Sequence, residues 1–314
     1  MRITNNARAY SLLVMANMFW AGNFVVGSVL TTKFSPVLLV FMRWTIATMI
    51  LIPITYDKLN NGQWWRKIRL HWQPLLTMAV TGIFLYSTLV YVALKFTSPV
   101  NAAIVNGANP IVLTLLGVLL LKERVNGQQV AGMIISFVGV TWVVSNGSWE
   151  LLKNFRLNMG DLLMLGNIFV WGVYSIATKK VTKELSALEA TALSGILAMF
   201  LMFPPVMVDY SLNSQLEFGL GSVLGILYIG IFSSVLAYLC WNEGIKQIGP
   251  GRSGIFMNLI PVFAAIFAFL FLDQHLTINQ FIGGALVAAG VYLTNVKKKT
   301  KQVSGHSFSR GESN

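Results

Sequence analysis

Long apolar runs, separated by short polar punctuation, organise this chain. Uncharged stretches fall at 9–32, 74–94, 96–121, 125–149, 162–178, 190–208, 218–242, 253–272 and 276–296, and the run 34–56 is broken only by Arg43. Each is close to the roughly 20 residues that carry an α-helix across about 30 Å of hydrocarbon. The pattern predicts an all-α membrane protein of ten transmembrane helices, with nothing left over for a soluble domain. Connectors are short except at 56–73, 145–158 and 209–217. In the first of these, Asn60-Asn61-Gly62-Gln63 reads as a turn. After it, Trp64 and Trp65 are expected at headgroup level, with Arg66, Lys67 and Arg69 against anionic lipid.

The pattern also repeats. A shift of 151 residues, without a gap, lays Trp20 on Trp171, Ser35 on Ser186, Pro53 on Pro204, Lys95 on Lys246 and Pro99 on Pro250. It goes on to lay Pro110 on Pro261, Gln129 on Gln280, Gly132 on Gly283 and Gly139 on Gly290. Five helices per copy is an odd number, so the second copy enters from the opposite face. The expected organisation is two inverted five-helix repeats, 1–145 and 158–296, followed by a disordered, basic cytoplasmic tail at 297–314. Inverted repeats are typical of secondary transporters, whose solute site lies near the bilayer midplane between the halves.

Composition agrees: 55% of residues are hydrophobic, 11% are charged and the mean hydropathy is +0.66. The first run is too long for a signal peptide and lacks a small-residue cleavage site after it, so it is expected to remain as the first helix. The net charge of +12 invites a nucleic-acid reading that its distribution removes. Of 23 Lys and Arg residues, Lys33, Lys95, Lys153 and Arg156 fall on one side, Arg43 in the membrane and the other eighteen opposite. By the positive-inside rule both termini are cytoplasmic, in a multi-pass protein of the cell membrane. The expected partners are lipid and a small-molecule solute, not nucleic acid. The single Cys240 excludes an internal disulfide and reads as packing.

Candidate binding residues are polar or aromatic side chains at membrane depth. At about 1.5 Å per residue, Trp20 and Trp171 lie roughly 17 and 15 Å into their helices, too deep for interfacial anchors. Spacings of three and four place Asn17, Trp20, Asn23 and Gly27 on one face of the first helix. Asn167, Trp171, Tyr174 and Thr178 share a face of the sixth. Asn106 and Asn109 share a face of the fourth helix, and Asn258 stands in the ninth. Cavity wall and buried helix packing are the two readings. Pro110 and Pro261 each remove a backbone donor, and bending there would serve as a gate or as a static kink. Arg43 is the one cation well inside the bilayer, where it must face the bundle interior and find partners. Its fork suits a carboxylate or phosphate on the solute, or carbonyls at a broken helix. Ser194 stands at the corresponding position.

The eleven acidic residues lie near helix ends, in loops or in the tail. Ser186 and Glu189 read as a capping box, Asp161 as a helix N-terminal charge, and Glu123 as a local partner of Lys122 or Arg124. No central carboxylate offers itself as a proton carrier; Glu243 is a weaker candidate, so exchange and uniport stay open. The pairs Gly132/Ser136, Gly221/Gly225 and Gly284/Ala288 recur four apart, for close helix packing in the bundle or in a homodimer.

Taken together, Phe19-Trp20-Ala21-Gly22-Asn23-Phe24, Pro36 to Arg43, Asn109-Pro110-Ile111 with Leu121-Lys122-Glu123-Arg124, and Gly249-Pro250 through Pro261 resemble the EamA family of the drug/metabolite transporter superfamily over residues 9–296. The resemblance implies a ten-helix carrier for a small metabolite, amino acid or drug, often moved outward. The chain departs from the family in Asp273-Gln274-His275, where an acidic-basic pair is usual, and in Glu243. Channel and membrane-embedded sensor are the rival functions. His71, His275 and His306 lie at helix ends or in the tail, with no metal spacing and no nucleophile–base pair, so neither enzyme, metal nor cofactor is expected. No nucleotide-binding glycine loop drives an ATP-dependent pump.

Overall fold

The computed structural model describes residues 2–59, 63–93, 96–97, 99–212, 218–271 and 275–296, all of them helix, turn or connecting segment. The expected turn at 60–62, Lys95, the Asp273-Gln274 pair and the tail lie outside the described residues. The ten long elements are α1 (Arg2–Leu30), α2 (Pro36–Leu59), α3 (Gln63–Met78, continued by Ala79–Leu85 and Tyr86–Ala93), α4 (Pro99–Asn106, then Asn109–Leu121) and α5 (Gly127–Val144). The second set is α6 (Met159–Val181), α7 (Ala187–Leu212), α8 (Leu220–Tyr228, Ile229–Leu236, Ala237–Ile248), α9 (Pro250–Ser253, Gly254–Asn258, Leu259–Phe271) and α10 (Ile278–Asn295). Among the described residues, nine of these helices are apolar and long enough to cross a membrane. The tenth, α10, is 18 residues long and carries Asn279, Gln280 and Asn295 at its ends. The outward surface is apolar: Phe200, Leu220 and Phe281 are 75%, 77% and 79% exposed, a face that belongs against lipid rather than water.

The two repeats are joined by a glycine crossing of α5 on α10. A methyl group on Gly132 would stand 2.7 Å from the carbonyl oxygen of Gly290, and one on Gly139 would stand 2.7 Å from that of Gly283. Rising numbers on α5 meet falling numbers on α10, so the helices are antiparallel. The 151-residue shift exchanges the two pairs, which is the self-complementary contact of a two-fold axis. The five-helix units therefore run in opposite senses. On α10 the glycines that pack are Gly283 and Gly290, which flank the expected Gly284/Ala288 stripe by one and two positions. Gly225 lies against Val26 and Leu30 of α1, while Gly221 has nothing within 4 Å.

Local signals start these helices where the sequence places them. Asn126 with Gln129 and Thr277 with Gln280 form matching capping boxes on α5 and α10. Asn158 with Asp161 forms another on α6, and the Ser186 amide donates to Glu189 at 2.9 Å on α7. Each box satisfies amide groups that have no partner in the first turn.

Two irregularities repeat as well. Helices α3 and α8 each widen into a π-helical stretch, Ala79–Leu85 and Ile229–Leu236, nearly the same positions after the shift. Helix α4 breaks at Gly107-Ala108 before Pro110, and α9 passes through a 3-10 stretch, Gly254–Asn258, before Pro261. The ring of each proline cannot donate to the turn above it, so the break sits one turn upstream.

The stretch before residue 74 differs from expectation. It is helical from Gln63 and joins the third span across a kink at His71. Lys67 does not reach for lipid: its Nζ lies 2.5 Å from Glu189 Oε1 on α7, and His71 lies 3.2 Å from Glu184. Trp65 and Trp72 stay exposed.

Candidate functional site

Between the repeats lies a cavity of about 380 Å³. Its floor is aromatic. Trp20 of α1 meets Trp171 of α6 edge-on at 5.3 Å and Tyr238 of α8 at 5.7 Å, while Tyr86 of α3 packs on Trp171 at 4.5 Å. Below this layer Tyr174, Trp241 and Asn242 have no exposure. Above it the wall runs past Asn23, Arg43, Asn106, Pro261 and Ala264 to Thr31, Val90, Ala102 and Met164. Those last four stand toward the helix ends remote from the two termini. The cavity thus reaches toward one face of the bundle and is sealed toward the face that carries the termini.

The widened turn of α8 positions the charged group. In that stretch the Ala237 amide donates back to Phe232, which leaves the Ser233 carbonyl free. Two side chains fill the vacancy: Trp20 Nε1 donates to it at 3.1 Å and Arg43 Nη2 at 3.3 Å. Arg43 Nε donates to Ser234 Oγ at 2.7 Å. Arg43 is 4% exposed; its bonds are those of the clamp on a broken helix, and the side chain also lines the cavity. The other π stretch is tied in too, because Tyr238 donates its hydroxyl to the Gly82 carbonyl at 2.6 Å.

Of the residues singled out from sequence, Trp20, Asn23, Arg43, Asn106, Trp171 and Pro261 line the cavity. Four do not. Tyr174 lies under the floor, stacked on Trp171 at 4.8 Å with its hydroxyl donated to Asn242 at 2.7 Å. Asn109 donates to the Asn106 carbonyl at 2.9 Å, which satisfies the oxygen freed by the break in α4. Asn258 donates to Ser136 at 2.9 Å and braces α9 against α5. Pro110 packs beneath Gly254, so the two broken helices cross at their breaks. Tyr174, Asn109 and Asn258 thus have packing partners instead of cavity surface, and Pro110 stands where the two breaks cross: spacing gives the helix face, but not which neighbour covers it. Tyr86 and Tyr238, which complete the floor, were missed. The depth argument applied to Trp20 would have found them.

The sealed face has its own chemistry. Glu123, expected to pair with Lys122 or Arg124, does neither among the described residues. It turns inward from the end of α4 and accepts the Gly251 amide at the start of α9 at 3.1 Å. Gly117, Gly249 and Gly251 cradle the carboxylate, and a side chain on Gly249 would collide with Oε1. Gly249 also has φ +84°, a region that favours glycine. Burial pushes the Glu123 carboxyl above the ordinary carboxylate range, opposed by the Gly251 hydrogen bond and by the charges of Lys179 and Arg252. Around it, Lys179 Nζ donates to the Lys246 carbonyl at 2.7 Å, and Arg252 donates to Tyr10 and to the Asn295 carbonyl at 3.0 Å each. Glu243 is held in its own helix by Gln247 at 2.8 Å.

Comparison with known proteins agrees with this architecture. The family model of the EamA-like transporter family matches residues 7–145 and again 158–296. The uncharacterized transporter YyaM of Bacillus subtilis (strain 168) is 29% identical over 284 residues, covering 90% of this chain and 92% of that protein. An Escherichia coli (strain K12) protein named "Probable amino-acid metabolite efflux pump" is 24% identical over 292 residues, covering 90% and 93%. A solved crystal structure superposes with a TM-score of 0.75 at 20% identity, over 92% of this chain and 96% of the other, a likeness of fold alone. The chain is a member of the EamA-like transporter family, built as two inverted five-helix repeats and belonging to a family that carries small solutes across membranes.

Proposed function

We propose that the protein is a secondary transporter, working as an exporter, for a small metabolite, an amino acid or a drug-like solute. It acts by alternating access at the cavity between the repeats, with the breaks at Pro110 and Pro261 as gates. The observation that carries this reading is a cavity walled by both repeats, set beside broken helices and sealed on one side. Such irregular backbone is stable at membrane depth where it faces protein or a wet cavity. The efflux function printed for the Escherichia coli relative supports the outward direction. On this reading the face with the termini is cytoplasmic, in the cell membrane, and the structure is the outward-reaching state.

Counterflow tests the reading. Purified protein in liposomes preloaded with one unlabelled solute of a metabolite panel should accumulate trace label of that solute from outside. A channel gives no such overshoot. Trp20→Ala and Trp171→Ala should each lower counterflow about tenfold or more at equal membrane abundance, because each removes part of the aromatic floor, a contact worth about 1.5 kcal/mol or more. Unchanged exchange in both variants would return the pair to packing.

Orientation has a separate check. In a Cys240→Ser background, cysteines replacing Ser148 and Asn213 should react with an impermeant thiol reagent outside intact cells, and cysteines replacing Asn61 and Ser304 should not. The reverse pattern would invert the topology.

A further inference from the structure

We infer that the cavity selects organic monoanions with a flat apolar body, in preference to zwitterionic amino acids carrying the same ring. This inference rests on the transporter reading and narrows its substrate class. Among the described residues that line the cavity, Arg43 is the one charged side chain. Its bonds go to neutral oxygens, the Ser234 hydroxyl and the Ser233 carbonyl. No carboxylate among the described lining residues compensates it. The guanidinium is therefore a buried positive charge whose Nε side is fixed by α8. Its remaining edge, carrying Nη1, makes no hydrogen bond among the described residues, and a planar guanidinium edge matches a carboxylate bidentately.

The rest of the wall states what the solute must otherwise be. Trp20, Trp171, Tyr86 and Tyr238 present ring surface, Val90, Met164 and Ala264 are apolar, and Thr31, Ser87 and Asn106 are neutral polar groups. A volume of about 380 Å³ lies near the small end of ligand cavities, enough for one bicyclic ring with a short chain. An α-amino acid would bring an ammonium group into this cavity. The field of Arg43 opposes that second charge, and no anionic side chain among the described lining residues receives it. The carbonyl oxygen of the Asn23 side chain is buried without a partner, and one amide oxygen is a poor exchange for the hydration of an ammonium ion. A monoanion gains the pairing at Arg43 without that loss.

Four probes share one ring and differ in charge: indole-3-acetate, indole-3-acetamide, tryptamine and tryptophan. Titration calorimetry on wild-type protein should give indole-3-acetate an affinity about tenfold or more above each of the others, the scale of one charge-assisted hydrogen bond. In Arg43→Gln the preference of acetate over acetamide should vanish; in Arg43→Lys it should shrink, since the charge stays and the fork is lost. If Arg43→Gln does not fold, the wild-type order decides alone. Equal or tighter binding of tryptophan, tryptamine or the amide overturns the inference. Counterflow with the same four compounds separates the two readings. Tryptophan exchange without indole-3-acetate exchange leaves the carrier standing and removes the monoanion. Tenfold preference for indole-3-acetate in binding, with no counterflow of any compound, supports the monoanion site and removes the carrier.

Discussion

Gly139→Val should prevent a stable fold. A methyl on Gly139 would stand 2.7 Å from the Gly283 carbonyl oxygen and as close to the Val287 amide nitrogen. These are backbone atoms of a continuous helix, so no rotamer change makes room. The two helices must separate, and the second glycine pair, Gly132 with Gly290, loses its contact with them. Overpacking of this kind costs about 3 kcal/mol or more, a large share of the stability of a typical domain. The variant should therefore run as aggregate after detergent extraction, or melt far below wild type. Gly166→Val is the control: it has nothing within 4 Å, lies on the same kind of apolar helix and should shift stability by about 0.5 kcal/mol or less. Wild-type melting in Gly139→Val would mean that α5 and α10 do not cross here.

The second large effect is expected at Glu123. Removing the carboxylate strands the Gly251 amide at the seal between α4 and α9, a loss of about 1–3 kcal/mol. Glu123→Ala should then raise the reaction of a buried reporter at the seal by about tenfold. Ser253 is a suitable position: it is fully buried two residues from Gly251, and Ser253→Cys in the Cys240→Ser background is close to isosteric. The pH dependence has a definite sign. In the closed state burial raises the Glu123 carboxyl above its ordinary value, against the opposing pull of the Gly251 amide, Lys179 and Arg252. In an opened state the group is solvated and ordinary. The closed state therefore binds the proton more tightly, and closure gains strength as pH falls through the raised value toward about 4.5. As pH rises through the raised value that contribution is lost. Labelling of Ser253→Cys, corrected for thiolate content, should slow as pH is lowered, and Glu123→Gln should abolish the trend while keeping the seal shut. A trend that survives in Glu123→Gln would assign it to another group.

The helices, their number and the inverted repeat were all legible in sequence because they depend on local or periodic signals: run length, capping residues and the positions of proline, glycine and tryptophan. Depth along a helix was equally legible, and it brought Trp20, Trp171 and Arg43 to the cavity wall. What stayed hidden depends on a neighbour distant in sequence. Asn258 and Asn109 share the polar signature of Asn106, yet one is spent on Ser136 and the other on a backbone carbonyl. Tyr174 lies one turn beyond Trp171, and that one turn takes it from the floor to beneath it. Glu123 had basic neighbours in sequence that offered simpler pairings, and Lys67, between Arg66 and Arg69, read as facing anionic lipid. Glu123 instead closes onto the other repeat through Gly251, and Lys67 through Glu189. The π stretches of α3 and α8 have no residue signature of their own. They are fixed by what they hold, Arg43 on one side and Tyr238 on the other.

The central claim is that one cavity is open to one side of the membrane at a time, and sided labelling of its two ends tests it most directly. Ala264→Cys on the wall and Ser253→Cys at the seal, each in the Cys240→Ser background, would be treated with an impermeant thiol reagent in intact cells and in inverted vesicles. The account predicts that Ala264→Cys reacts rapidly from the face opposite the termini and slowly from the other. Ser253→Cys should react only from the face with the termini, and faster as solute is cycled through. Comparable reaction of either position from both faces, unaffected by solute, would describe a continuous pore and contradict a carrier.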